Sequence, residues 1–248
     1  MKTILKSVAL SSFLSASLVF TSSCEKDLTN TMEDTYAQIL EVAGDGTSAI
    51  IEEKMSLALV TTPDLNNDEI STLTWMREEE RLARDVYSAL YNKWGSIIFS
   101  RISSSENNHM TALNNLLELY GSADTVINAS GLFANPELQI LYNDLVSKGS
   151  VSLVEGLKVG ALIEDLDIKD LTEAISMTSN ENLIMVYGNL MKGSRNHIRA
   201  FSRQLKFQGL AYIPVYLSQE EYDSILNTPN ETGNYYRLNS SAVCVRDF

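Results

Sequence analysis

Ile102-Ser103-Ser104-Ser105-Glu106-Asn107-Asn108-His109-Met110-Thr111-Ala112-Leu113 carries a glutamate and a histidine three residues apart. Residues three and four apart share one face of a helix. On that count Ile102, Glu106, His109, Leu113, Leu116 and Tyr120 form one seam, so the acid and the imidazole point where a core belongs. No glycine or proline interrupts the chain from Ile97 to Tyr120, and Gly121 ends it, which predicts a helix over 97–120. An ionised carboxylate buried without a partner is costly. This seam therefore needs matching polar groups opposite it.

Three further segments supply them. Asn67-Asp68-Glu69 offers an N-cap with first-turn acids, and nothing breaks the chain until Gly95, which predicts a helix over 67–94. Its seam reads Leu73, Met76, Glu80, Ala83, Tyr87, Leu90, Trp94, with Glu79 beside a second stripe of Leu82 and Val86. A helix beginning near Ser152 gives Leu153, Leu157, Gly160, Glu164, Asp167 and Leu171. A fourth, over 181–207, gives Leu183, Leu190, Ser194, His197 and Phe201. The expected class is all-α, with four long helices directing polar groups, among them both histidines of the chain, at one interior.

Acids rarely occupy core positions, so several converging carboxylates imply a compensating cation. A dinuclear centre in a four-helix bundle takes a Glu from each of two helices and a Glu-x-x-His from each of the other two. Glu80, Glu106-x-x-His109 and Glu164 match three of these parts. The fourth, Ser194-Arg195-Asn196-His197, keeps the histidine but has serine where the glutamate belongs. Asp167, one turn from Glu164 on the same face, is the natural substitute.

Composition agrees with long helices: the 248 residues include 4 Pro and 12 Gly, with 44% hydrophobic and 21% charged. A net charge of -13 repels nucleic-acid phosphates and anionic lipid and attracts cations. The two cysteines, Cys24 and Cys244, provide no disulfide framework. Lys2 and Lys6 precede an apolar run from Val8 to Phe20, too short to span a membrane but suited to a secretory signal. Thr21-Ser22-Ser23-Cys24 follows and resembles the lipobox of bacterial lipoproteins, with Cys24 as the lipidated first mature residue. That leaves Cys244 as a free thiol or as the bridge of a homodimer. The expected organisation is a signal over 1–23, a lipid-anchored tether and small packing segment over 24–66, the bundle over 67–226 and a tail over 227–248. Inside the bundle, a short helix over 136–148 and a strap from Tyr212 to Leu217 are expected.

The strings Met76 to Tyr87, Ser105 to Met110, Ile163 to Ile168 and Gly193 to Phe201 resemble a ferritin-like domain family of unassigned activity, over about 67–226. The resemblance implies a ferritin- or rubrerythrin-type bundle holding a diiron-type site, with manganese as the other candidate metal. By position it implies Glu80, Glu106, His109, Glu164 and His197 as ligands, and Asp167 where rubrerythrins have a second carboxylate. Tyr87 falls where bacterioferritins place a tyrosine, and Asp85, Asn196 and Arg199 join it as expected supporting partners. The resulting expectation is a lipid-anchored protein of the cell envelope whose dinuclear iron centre meets dioxygen or peroxide, as a ferroxidase or peroxidase would. The competing expectation is a metal-free or mononuclear envelope interaction protein that uses the bundle as scaffold.

Overall fold

The structure, a computed structural model, describes residues 36–122 and 129–231. The expected signal segment, Cys24 and Cys244 lie outside the described residues. In chain order the elements are β1 (Leu40–Val42), β2 (Ser48–Ile50), α1 (Glu52–Ala58), α2 (Asn67–Trp94), α3 (Ile97–Leu119), α4 (Pro136–Gly149), α5 (Leu153–Ser176), α6 (Glu181–Phe207) and α7 (Gln219–Asn227). The protein is mostly helical, as the seams require.

Local signals set the long helices. The Asn66 side chain accepts from the Asp68 and Glu69 amides while Glu69 reaches back to the Asn66 amide. This capping box places the N-cap of α2 at Asn66, one residue earlier than expected from sequence. Gly95, at φ 64°, ends α2 in the left-handed conformation that glycine adopts without strain. Ser152 caps α5 through the Glu155 amide, and Asn180 caps α6 through the Asn182 and Leu183 amides.

The segment before α2 departs from the expectation. Within the segment expected as a tether and small packing segment over 24–66 there is an antiparallel hairpin, with Leu40 opposite Ile50 and Val42 opposite Ser48. Asp45 and Gly46 turn it: the Asp45 carboxylate accepts from the Thr47 amide and hydroxyl, and Gly46 has φ 95°. Ile39, Leu40, Ile50 and Met55 are buried, so the hairpin and α1 are packed parts of the domain.

α2 packs along α3 and α5 along α6, and the pairs meet through α2 with α5 and α3 with α6. The apolar residues form two clusters. One gathers Tyr87, Phe99, Ile102, Leu157 and Phe201; the other gathers Leu73, Leu113, Leu171, Leu183 and Leu190. The polar seam positions fall between them on all four helices, so the candidate site is closed at both ends by hydrocarbon. The strap after α6 binds α5 through Asp165, whose carboxylate accepts from the Tyr212 hydroxyl and the Val215, Tyr216 and Leu217 amides. Among the described residues no helix is long and apolar enough to cross a membrane.

Candidate metal centre

Five residues meet at the middle of the four long helices: Glu80 from α2, Glu106 and His109 from α3, Glu164 from α5 and His197 from α6. Each is at most 2% exposed. Glu106 stands between the two imidazoles, with Oε2 2.9 Å from His109 Nδ1 and Oε1 3.0 Å from His197 Nδ1. Glu80 Oε2 is 3.2 Å from His109 Nδ1, and Glu164 Oε2 is 3.4 Å from His197 Nδ1. Two triads sharing Glu106 result, Glu80/Glu106/His109 and Glu106/Glu164/His197, each with donor atoms within 4.8 Å of one another. The imidazoles stack with centroids 5.5 Å apart and planes 17° from parallel.

The electrostatics are those of crowded anions. Burial, then the charge at Asp167, pushes the Glu80 carboxyl well above the ordinary range. Burial, then Glu106, raises Glu164 to about 8. Burial raises Asp167 to about 7, even though Ser194 donates to it. Burial also works to raise Glu106, but the charges of His197 and His109 override it and hold that group below the ordinary carboxylate range. Burial works to lower both histidines, and their carboxylates outweigh it. Glu80 and Glu106 hold His109 well above its usual value, and Glu106 and Glu164 hold His197 at about 9. Each proton in the cluster is shared property, and a dication placed among these groups would displace several of them.

Two buried atoms at the centre, Glu106 Oε1 and His197 Nδ1, stand 3.0 Å apart as an ion pair yet make no well-aligned hydrogen bond. Unsatisfied buried polar atoms are uncommon in folded proteins and call for an explanation such as an ion. A carboxylate and imidazole donor set suits iron, manganese or zinc.

The other expected residues divide. Tyr87 donates to Glu164 Oε1 at 2.5 Å, so it does reach the cluster. Asp167 lies beside the triads, and Ser194 on α6 donates to it, the pair together occupying the place of the missing glutamate. Three expected supporting partners do not reach the site. Asp85 accepts from Arg84 and the Gly131 amide, because it faces the loop before α4. Asn196 and Arg199 bond each other and hold Glu231 and the Ile225 carbonyl, because that side of α6 is covered by α7 and the segment after it.

A narrow cavity of about 20 Å³ reaches the carboxylates between α2 and α5, lined by Glu79, Glu80, Glu106, Glu164 and Asp167 with Leu82, Leu141, Leu145 and Leu166. That is room for a water-sized molecule.

Sequence reasoning missed Ser48. Its hydroxyl, on β2, lies 2.9 Å from His109 Nε2 and 3.1 Å from His197 Nε2. Two signals pointed toward it. Asp45-Gly46 between short apolar runs is a hairpin signature, and Gly193 inside a long helix marks a close approach. The acidic pair of Glu79, on the cavity wall, and Asp170 was also unforeseen as a pair: burial and then the Asp170 charge push the Glu79 carboxyl well up, whereas Asp170, raised by burial, is drawn back by its hydrogen bond with Glu79.

A family described as "Uncharacterized protein domain (DUF2202)" matches residues 69–229. The uncharacterized protein MJ0754 of Methanocaldococcus jannaschii is 53% identical over 170 residues, 68% of this chain and 92% of that protein. The crystal structure of the hypothetical protein MJ0754 superposes with a TM-score of 0.68 at 48% identity, covering 70% of this chain and 99% of that one. The relative's name assigns it no activity.

Proposed function

The chain belongs to the DUF2202 family of uncharacterized domains, and on that premise we propose that it is a ferritin-like four-helix bundle whose buried carboxylate and histidine cluster holds two metal ions. Iron is the preferred metal and manganese the alternative. The observation that carries the reading is the pair of buried atoms that lack a well-aligned hydrogen bond, Glu106 Oε1 and His197 Nδ1, at the shared corner of two Glu/Glu/His triads.

Glu80 and His109 would hold one ion and Glu164 and His197 the other, with Glu106 serving both. Bound there, the ions would supply one-electron redox chemistry toward dioxygen or peroxide. The chain's own residues do the rest. Tyr87 fixes Glu164 by its hydrogen bond. Asp167 is held by Ser194 at the rim, and in the metal-free protein burial raises its carboxyl to about 7. Apolar clusters close the site above and below, and the narrow cavity has room for a molecule of oxidant size.

The leader supports a second component of the same proposal, an envelope location with lipid on Cys24. A mature amino terminus that mass spectrometry finds unmodified would remove it. The ion pairs that the two histidines make with Glu80, Glu106 and Glu164 also suit a metal-free polar network in an interaction protein, and this reading expects no bound metal. The deciding experiment is elemental analysis of protein purified without chelators, followed by anaerobic ferrous loading and exposure to oxygen. About two equivalents per chain on the ligand count of such bundles, with oxygen consumed faster than by free ferrous ion, is expected. Absence of stoichiometric metal defeats the proposal.

A further inference from the structure

Helix α6 carries two glycines where other parts of the chain come too close for a side chain. A Cβ on Gly188 would stand 2.2 Å from the Tyr36 ring, and one on Gly193 would stand 2.6 Å from His109 Cε1 and 3.0 Å from Ser48 Oγ. Glycine weakens a helix interior, so its use here reflects the need for space. Between them Asn189, fully buried, accepts from the Ile39 and Leu40 amides at 3.0 and 3.2 Å and donates to the Ala37 carbonyl at 2.9 Å. From α3, Ser105 Oγ accepts the Ser48 amide at 3.0 Å. This face of α6 is thus shaped to receive the hairpin, and the hairpin delivers one hydroxyl, 4% exposed, to the backs of two stacked imidazoles.

We infer that Ser48 is a positioning residue whose oxygen accepts an N–H from Nε2 of both His109 and His197, turning both Nδ1 atoms to the carboxylates. A hydroxyl oxygen has two lone pairs and can accept both bonds. Nδ1 faces carboxylate oxygens 2.9 to 3.4 Å away on each ring, poorly aligned at His197, and Nε2 is the nitrogen left for Ser48 on both. When Nδ1 binds a cation it loses its hydrogen while Nε2 keeps its own, so the Ser48 contact is unchanged between the two states. Ser48 precedes the family-matched residues, which begin at 69. The site is therefore completed by a segment outside that match. The effect on metal affinity rests on the proposed metal centre; the ring orientation does not.

The test uses the full chain with Ser48→Ala and Ser48→Thr, reading imidazole nitrogens by NMR in metal-free protein and titrating each protein with cobalt(II). Wild type should show slowly exchanging Nε2 protons on both rings. Ser48→Ala should lose that protection and bind cobalt about 10- to 100-fold more weakly, as loss of a ligand's outer partner does. Ser48→Thr should restore both. A Ser48→Ala protein that melts lower yet binds cobalt as wild type, or that keeps both protected protons, overturns the inference. If Ser48→Ala does not fold, the wild-type spectrum decides: an Nε2 without a proton on either ring overturns it. Wild type that binds no cobalt defeats the metal reading, and the NMR arm still decides the role of Ser48.

Discussion

Glu164 and Asp165 are neighbours on α5, both at most 1% exposed, and they illustrate two different fates of a buried acid. Asp165 turns outward to the strap and accepts four hydrogen bonds, from the Tyr212 hydroxyl at 2.7 Å and the Val215, Tyr216 and Leu217 amides at 2.6, 3.1 and 2.8 Å. Its lone pairs are filled by the fold itself. Glu164 turns inward among Glu106, Asp167 and His197, where more carboxylates gather than the two imidazoles neutralise. The comparison separates a structural acid from a binding one: the first is saturated by three amides and a hydroxyl, whereas the second sits in a crowd of carboxylates, beside the poorly bonded Glu106 Oε1 and His197 Nδ1, that a cation would satisfy.

The strongest way to break that comparison is Asp165→Ala. It strands four donors, two buried and two part-buried, and removing one side of such a cluster costs about 3–5 kcal/mol. Chemical denaturation of metal-free protein should show that loss, while the folded fraction keeps its full metal content. Loss of metal in a folded Asp165→Ala protein would mean that the two acids do not differ as described.

Glu106→Ala is the converse. Removing the carboxylate common to both triads should abolish both equivalents of metal, whereas His197→Ala should remove about one on the same ligand count. In the metal-free state Glu106→Ala should cost less stability than Asp165→Ala, because His109 keeps Glu80 and His197 keeps Glu164. Full metal retention in folded Glu106→Ala and His109→Ala would contradict the assignment.

The same difference was only half visible in the chain. Helix ends were legible to within about a residue because their signals are local: α2 was expected from Asn67 and is capped by Asn66, α5 was expected near its cap Ser152, and Gly95 stops α2. The seams of Glu80, Glu106, His109, Glu164 and His197 were legible because helical period assigns each to a face. Asp165 was not, since its four donors come from about fifty residues away and only the folded strap brings them. Strands of three residues carry no measurable period, so the hairpin and Ser48 were missed, and Ser48 meets residues far along the chain in both directions of packing. Asp85, Asn196 and Arg199 lay near the seams in sequence, but helical rotation took them to other partners.

A pH profile sharpens the contrast further. In the folded, metal-free protein Asp167 is raised to about 7, Glu164 to about 8 and His197 to about 9. Between pH 6 and 9 the folded state thus holds protons that the unfolded chain has released, so metal-free stability should fall as pH rises through this range. Metal displaces those protons, so the stabilisation it adds should grow over the same range. Thermal melts at several pH values, with and without ferrous ion under anaerobic conditions, test both signs. A metal-free melting temperature that rises from pH 6 to 9 would contradict the first.

The smallest effect is expected from Tyr87→Phe, which deletes the donor to Glu164 and leaves the ring packed against Phe201. A loss of about 0.5–1.5 kcal/mol is the scale for one such bond. The second ion, held by Glu164, should weaken more than the first, as competition titrations with a metal indicator would show.

The central claim is most directly tested by crystals of iron-loaded protein measured across the iron absorption edge. Two anomalous peaks are expected at the centre of the helices, one between Glu80 and His109 and one between Glu164 and His197, both within bonding distance of Glu106. No peak there, with the carboxylates and imidazoles bonded only to one another, would contradict it.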